Sequence, residues 1–472
     1  MGNEERFDYW RRTIGLVAAP VVFVVFWALP VAGLGIQAHR LLAVLGAVVV
    51  LWMTESIPLA VTALLGPALC VLLGIGSAKE IFRGFADPIV FLFLGSFLIA
   101  EAMLQHGLNR RIAFGIMRAV GTSPKRLLAA FGIATGFVSL WVSNTATTAM
   151  MFPIALAILK ESRMPPAFGT ALMLMTAFAA SIGGLGTPVG TPPNLIGLEF
   201  IETNLKIKIT FFQWMLFGLP LAIVLIGFLC VYFRTAAAET PSAAIGTIAR
   251  PETRLSRGER NVLIAFLLTV GLWITPGIIA LAHGAEDPVF RWFNARLPEA
   301  MASLFGAILL FVLPTDWRRG QFTLSWRNAA NIDWGTILLF GGGLALGELM
   351  FSTGLAKWMG EGIARELQAD TVLGLTMLFA ALATILSETT SNTASAAMIV
   401  PVAIAVSQAA GVPAIQPALA ACLGASLGFM LPVSTPPNAI VYGSGLVPVR
   451  KMIWHRLVRC NIDMRYGMSH NQ

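Results

Sequence analysis

The residues in this sequence best equipped to do chemistry carry no charge. Ser143–Met150 reads SNTATTAM and Ser391–Met398 reads SNTASAAM, each inside an otherwise apolar segment. Each is followed by the tetrapeptide TPPN, at Thr191-Pro192-Pro193-Asn194 and at Thr435-Pro436-Pro437-Asn438. Backbone that leaves the helix at membrane depth is tolerated only where it is buried in protein or lines a wet cavity. At SNT, the amide and hydroxyls satisfy freed backbone and offer neutral oxygens. At TPPN, two prolines remove donors and enforce a bend, leaving carbonyls unpaired. A small cage of carbonyl, hydroxyl and amide oxygens suits a hard monovalent cation such as Na⁺. Exposed helix N-termini, with unpaired N–H groups and positive dipole ends, suit an anion. No Lys or Arg lies in either SNT or TPPN stretch, so dipoles, amides and bound cations must neutralise that anion. The chemistry implied is an anionic solute held between two cation sites, binding weakly when the cation is missing.

The elements around these motifs must be membrane spans. Of 472 residues, 57% are hydrophobic and 12% charged, which excludes a soluble globular protein. The formal charge of +8 lies in loops, where it reports topology rather than nucleic-acid binding. Cys70, Cys230 and Cys422 fall in apolar segments and Cys460 in the tail, with no disulfide framework. The five histidines are scattered, without metal-ligand spacing. No acid/base or metal constellation supports an enzyme, and no cofactor is expected beyond co-transported Na⁺.

In chain order, spans are expected at Ile14–Ile36 (too long for a signal-peptide core), Leu41–Met53, Ile57–Ile75 and Ile89–Met103. A basic amphipathic stretch, Asn109–Lys125, should lie along the membrane surface. Arg126–Lys160 forms two arms around the first SNT, and Ala167–Leu198 is broken by Gly183-Gly184, Gly186 and TPPN. Phe211–Phe233 is a clean span, followed by a polar linker at 234–260. The second half repeats the order: Val262–Leu281, a loop, Ala300–Leu313, a loop, Ile337–Phe351, and an amphipathic piece at Leu355–Leu367. The arms of Leu373–Gln408 and the broken Ala418–Leu446 follow, then a polar tail at 451–472.

The repeat holds residue by residue. FLGSFLIAEAMLQHGL (Phe93–Leu108) matches FGGGLALGELMFSTGL (Phe340–Leu355), aligning Glu101 with Glu348 and Gly107 with Gly354. Ser139, Ser143, Asn144, Thr145 and Pro153 align at one constant offset with Ser387, Ser391, Asn392, Thr393 and Pro401. Matched broken helices in internal repeats point to the central site of a secondary transporter. With the N-terminus inside, 23 of the 32 Lys and Arg fall on the cytoplasmic side. The first broken segment then opens from the cytoplasm and the second from outside, so the repeat is inverted. Arms of about fifteen residues rise roughly 22 Å, short of the ~30 Å hydrocarbon core, which favours re-entrant hairpins over full spans.

Blander readings compete for some residues. A lone Ser-Asn-Thr in an apolar helix is commonly packing glue between helices; its duplication in register with TPPN favours a binding site. Glu388 can either tune a cation site or pair within the hairpin base, while Glu101 and Glu348 read as caps or anchors. Glu55 reads as interfacial, Trp141 as packing, and Met173 and Met175 as core.

SNTAT and SNTAS at paired tips, together with ASLGFMLPVSTPPNAIV (Ala425–Val441), resemble the divalent-anion/sodium symporters, carriers of di- and tricarboxylates or sulfate. The resemblance covers roughly residues 10–450. It implies an all-α polytopic membrane protein with inverted repeats, about 10–11 transmembrane helices and two re-entrant hairpins. It also implies a homodimer in membrane lipid, whose transport domain moves elevator-fashion against a scaffold. The division is 1–125 scaffold, 126–210 transport, 211–371 scaffold and 372–450 transport. On matching positions, the first sodium site uses Ser139, Ser143, Asn144 and Gly190, and the second Ser387, Thr390, Asn392 and Ser434. Substrate carboxylates meet Asn144, Thr145, Thr191, Asn392, Thr393, Thr435 and Pro436. Family members continue with a final hydrophobic span that Lys451–Gln472 does not resemble, a departure expected to touch the span count rather than the site. SNT at both tips resembles the C4-dicarboxylate carriers. The expectation is a sodium-coupled importer of succinate, malate or fumarate in a bacterial inner membrane. The rivals are a sodium-independent dicarboxylate exchanger, a sulfate or citrate carrier, and, from other classes, an intramembrane enzyme or a channel.

Overall fold

The computed structural model describes residues 3–121, 123–162, 164–234, 254–284, 286–367, 371–432 and 434–452. The chain opens with α1 (Asn3–Ala28) and α2 (Ile36–Thr54), packed side by side. The first helix lies further towards the N-terminus than the expected Ile14–Ile36. Pro30 and the left-handed Gly33 break it, and Ile36 already starts α2. Next come α3 (Leu59–Leu72), the one-turn α4 (Ala78–Ile81), α5 (Pro88–His106) and α6 (Leu108–Val120). Asp87 caps α5 by accepting the Ile89 N–H at 2.9 Å. Gly107, at φ +73°, turns α5 into α6.

The first hairpin is α7 (Pro124–Ser139) and α8 (Asn144–Ser162), followed by α9 (Pro166–Gly183), a tight turn at Gly184–Gly186, and α10 (Pro192–Leu205). The second half starts with α11 (Phe211–Tyr232) and α12 (Arg257–His283). Ser256 and Glu259 form a reciprocal cap on α12, so the helix begins inside the expected 234–260 linker. Residues 235–253 of that linker, and residues 453–472 of the tail, lie outside the described residues. The loop expected after α12 contains α13 (Pro288–Arg296), which bends by 58° into α14 (Glu299–Val312). The next loop holds a small antiparallel ribbon, β1 (Pro314–Asp316) and β2 (Gln321–Phe322), and the one-turn α15 (Trp326–Ala329). Among the described residues the five of that ribbon are the only ones in strands, and the chain is all-α in build as expected.

The repeat then returns in α16 (Trp334–Ser352) and α17 (Leu355–Leu367), joined by Gly354 at φ +83° as α5 and α6 are joined by Gly107. The second hairpin is α18 (Val372–Thr389) and α19 (Asn392–Ala409), followed by α20 (Ile415–Ala425) and α21 (Pro436–Tyr442). Glu101 and Glu348 stand about a turn inside the C-terminal ends of α5 and α16, near the helix ends as expected. The hairpin arms have 16, 19, 18 and 18 residues, longer than expected. At 1.5 Å per residue they rise roughly 24–29 Å, so length alone does not separate a hairpin from a pair of spans.

Among the described residues, nine helices are long and apolar enough to cross a membrane, or ten if the bent α13–α14 pair counts as one span. The protein is a multi-span integral membrane protein. The α1 span is only 11% buried, whereas the span that includes α9 is 100% buried. The broken helix is therefore the centre of the molecule and α1 its rim. Matching elements of the two halves cross over each other: α10 packs on α19 and α20, while α21 packs on α8 and α9. Likewise α5 packs on α14, and α16 on α3.

Candidate functional site

At the first tip, α7 ends at Ser139 and α8 restarts at Asn144. The Ser143 hydroxyl accepts the Ala146 N–H at 3.3 Å, capping α8. Ser139, fully buried, donates its hydroxyl to Asn144 Oδ1 at 2.8 Å. The second tip reproduces both contacts. Ser391 Oγ accepts the Ala394 N–H at 3.2 Å, and Ser387 Oγ stands 2.7 Å from Asn392 Oδ1. Ser387 is also 2.5 Å from the carbonyl of Ala425, so its single proton is shared between two acceptors.

The broken segments are held by their TPPN asparagines. Asn194 Nδ2 donates to the carbonyls of Gly184 (2.9 Å) and Thr187 (2.8 Å), folding α10 back over the break. Asn438 Nδ2 donates to the Leu431 carbonyl at 3.0 Å, the position matching Thr187, and lies 3.2 Å from Ser434 Oγ. In both asparagines the carbonyl Oδ1 is buried with no hydrogen-bond partner among the described residues. A buried amide oxygen left this way needs a water or a cation. Paired orphans at matching positions fit the donor set that Na⁺ requires.

Glycine brings each break against its tip. A Cβ at Gly184 would lie 2.5 Å from Asn144 Oδ1 and 3.1 Å from the Gly190 carbonyl; one at Gly190 would lie 2.5 Å from the Gly184 carbonyl. At Gly428 a Cβ would lie 2.8 Å from both the carbonyl and the hydroxyl of Ser387. Ser139, Asn144 and Gly190 thus gather around Gly184. Ser387, Asn392 and Ser434 gather around Gly428, whose carbonyl is 3.1 Å from Ser434 Oγ. Sequence reasoning passed over Gly184 as a site residue and over Gly428 altogether. The available signal was their equal spacing before the two TPPN motifs.

Two predicted residues behave differently from their partners. Thr390 donates its hydroxyl to the Trp52 carbonyl of α2 at 3.1 Å rather than to a group of its own tip. Glu388 is 3% exposed and its carboxylate accepts the N–H groups of Phe429 (2.8 Å), Met430 (2.8 Å) and Leu431 (3.3 Å). Of the two readings left open for Glu388, the observed role is neighbour to both: it ties the hairpin base to the unwound backbone. At the matching place in the first half stands Leu140, whose carbonyl instead accepts the Thr187 hydroxyl at 2.5 Å.

Among the substrate candidates, Asn144 and Asn392 are half-buried and Thr191, Thr393 and Thr435 buried, while Thr145 and Pro436 are exposed. The two half-sites touch: Cys422 of α20 donates to the Pro193 carbonyl at 3.0 Å, and Phe178 of α9 stacks on Phe429 at 5.3 Å. Trp141 packs as expected, edge-on to Phe266 at 5.1 Å. A cavity of about 540 Å³ adjoins the first break at Pro188 and Leu195. Asp87, Glu199, Glu202 and Glu299 line it beside Lys206 and Lys208, an excess of acid that favours cations over anions.

Broken helices interlocked about a duplicated pair of amide-bearing tips are the construction of a secondary transporter. Residues 10–458 match the family described as the sodium:sulfate symporter transmembrane region, and the chain belongs to that family. It is 35% identical over 458 residues to the sodium-dependent dicarboxylate transporter SdcS of Staphylococcus saprophyticus, covering 93% of this chain and 86% of that protein. To the protein of the same name in Staphylococcus aureus it is 33% identical over 464 residues, with the same coverage. The crystal structure of the Alcanivorax borkumensis YdaH transporter, reported to have an unusual topology, superposes with a TM-score of 0.61 at 17% identity. That match covers 97% of this chain and 95% of the other.

Proposed function

We propose that this protein is a sodium-coupled symporter that imports divalent organic anions, with C4-dicarboxylates such as succinate, malate and fumarate as its substrates. The observation that carries this reading is the duplicated serine–asparagine bond, Ser139–Asn144 and Ser387–Asn392, each closed by a glycine of a neighbouring broken helix. The names of the staphylococcal relatives support both the cation and the substrate class. In this reading Ser139, Ser143, Asn144 and Gly190 hold one Na⁺, and Ser387, Thr390, Asn392 and Ser434 the other. The anion lies between, against Asn144, Thr145, Thr191, Asn392, Thr393, Thr435 and Pro436. The acidic cavity beside Pro188 serves cation entry.

The protein works as a homodimer in the inner membrane of a bacterium, N-terminus in the cytoplasm, and the two hairpins with their broken helices move elevator-fashion against the other helices. Helix α11 touches both bodies, packing on α7 and α9 as well as α12, so the boundary at residue 211 runs along a shared surface. The test is uptake of labelled succinate into proteoliposomes with Na⁺ replaced by K⁺ or choline. Uptake should collapse without Na⁺; uptake indifferent to Na⁺ would replace symport by exchange.

A further inference from the structure

The two hairpins meet the surrounding helices in unlike ways. Beside the first tip the space is filled by rings: Trp141 against Phe266, and Phe211 stacked on Trp273 at 4.6 Å. The void left there is about 10 Å³. Beside the second hairpin runs an apolar slot of about 350 Å³ enclosed by α1, α2, α16 and α19, lined by Phe26, Leu45 and Trp52, by Leu346, and by Met398 and Val402. Protein interiors are normally close-packed, so side chains facing a slot of this size forgo part of their dispersion contact, although α2 and α19 still share one apolar cluster through Val48, Trp52 and Ala394.

Among the described residues, one hydrogen bond crosses from α2 to the second tip. Thr390, 2% exposed, donates to the Trp52 carbonyl at 3.1 Å. That carbonyl is one of the last four of α2, which have no partner further along their own helix, so it stands ready for an outside donor. The position matching Thr390 in the first half is Val142, which has no hydroxyl to give.

We propose that the Thr390–Trp52 hydrogen bond is a latch that docks the second hairpin on α2, and that closing it prepares the Thr390 oxygen as a sodium ligand. A hydroxyl has one proton and two lone pairs. Fixing the proton on Trp52 leaves both lone pairs for the cation and polarises the oxygen in the favourable sense. Docking and cation binding at the second site then strengthen each other, since such coupling is reciprocal. The first site, with Val142, has no equivalent link. Beside the unfilled slot, this hydrogen bond is the one polar contact between α2 and the second tip among the described residues. This inference rests on the assignment of Thr390 to the second sodium site.

The experiment reads docking directly, in buffer free of Na⁺. Spin labels are attached at cysteines replacing Ile36 of α2 and Leu373 of α18, both 73% exposed, with the native cysteines removed. Distance distributions are compared for the parent protein, Thr390→Val and Thr390→Ser; Thr390→Ala serves as a second hydroxyl-free variant. Losing one buried hydrogen bond should lower the ratio of docked to undocked population about five-fold in Val and Ala, while Ser keeps the parent distribution. Na⁺ should then raise the docked fraction in the parent and in Ser, and much less in Val. Hydroxyl-free variants docking like the parent without Na⁺ would overturn the latch while leaving sodium coupling intact. Loss of sodium-dependent uptake in the parent would instead strike the functional reading, and the docking measurement would still decide the latch.

Discussion

Gly184→Ala tests the geometry of the first site with a single methyl group. The added Cβ would stand 2.5 Å from Asn144 Oδ1 and 3.1 Å from the Gly190 carbonyl, with backbone on one side and the tip amide on the other. Reaching an ordinary carbon–oxygen contact near ~3.5 Å requires Asn144 to retreat by about 1 Å. The Ser139–Asn144 bond, now 2.8 Å, cannot follow that movement and remain a hydrogen bond. A bond worth about 1 kcal/mol and one cation ligand are lost together. Ligand distances in an ion site tolerate about 0.2 Å, so the cage cannot absorb the shift. A total of roughly 1.5–3 kcal/mol corresponds to a ten- to hundred-fold rise in the Na⁺ concentration for half-maximal uptake. The assay is sodium activation of succinate uptake in proteoliposomes. Gly169→Ala, whose nearest neighbour lies at 3.6 Å, serves as the control. A Gly184→Ala protein with the parent's sodium dependence would refute the placement of Asn144 in a cation cage.

Three further outcomes follow from the same contacts. Asn144→Ala and Asn392→Ala should each abolish succinate uptake while the protein still inserts and elutes normally; normal transport by both would remove the site assignment. Glu388→Gln should cost about 2–4 kcal/mol in thermal or denaturant stability, because it weakens the bonds of a buried carboxylate to three backbone N–H groups, and Glu388→Ala more; an unchanged melting temperature would contradict the role of that carboxylate. Arg111 grips Glu259 through Nε at 2.6 Å and Nη2 at 3.1 Å, tying α6 to α12, so Glu259→Gln should lower stability by about 1–2 kcal/mol without changing the Na⁺ dependence of uptake. A shift in sodium affinity there would mean that α6 communicates with the site.

Much of the site was legible because the constraint behind it is local. Membrane depth forbids unpaired backbone, so Asn144, Asn392 and the two TPPN motifs stand out wherever they occur in an apolar chain. The same logic located α7–α8 and α18–α19 closely. It misjudged the arm lengths because the helices continue through residues, such as Pro124 and Ser162, that look like loop by composition. The helix α13 and the β1–β2 ribbon were missed for a related reason: short amphipathic and extended pieces at the interface carry little hydropathy signal.

Sequence by itself determined that this is a multi-span membrane protein built from two related halves, with paired polar interruptions as its candidate site. Composition and register suffice for that, since each motif is read from neighbours along the chain. Tertiary structure decided what those residues do to one another. Gly184 and Gly428 matter through atoms of other helices within 3 Å, and Glu388 matters because residues 429–431 offer it three N–H groups. Thr390 and Trp52 are 338 positions apart and meet only when α2 and the second hairpin are folded together. Such contacts depend on where helices cross, and crossing is set by packing of the whole bundle rather than by any one segment.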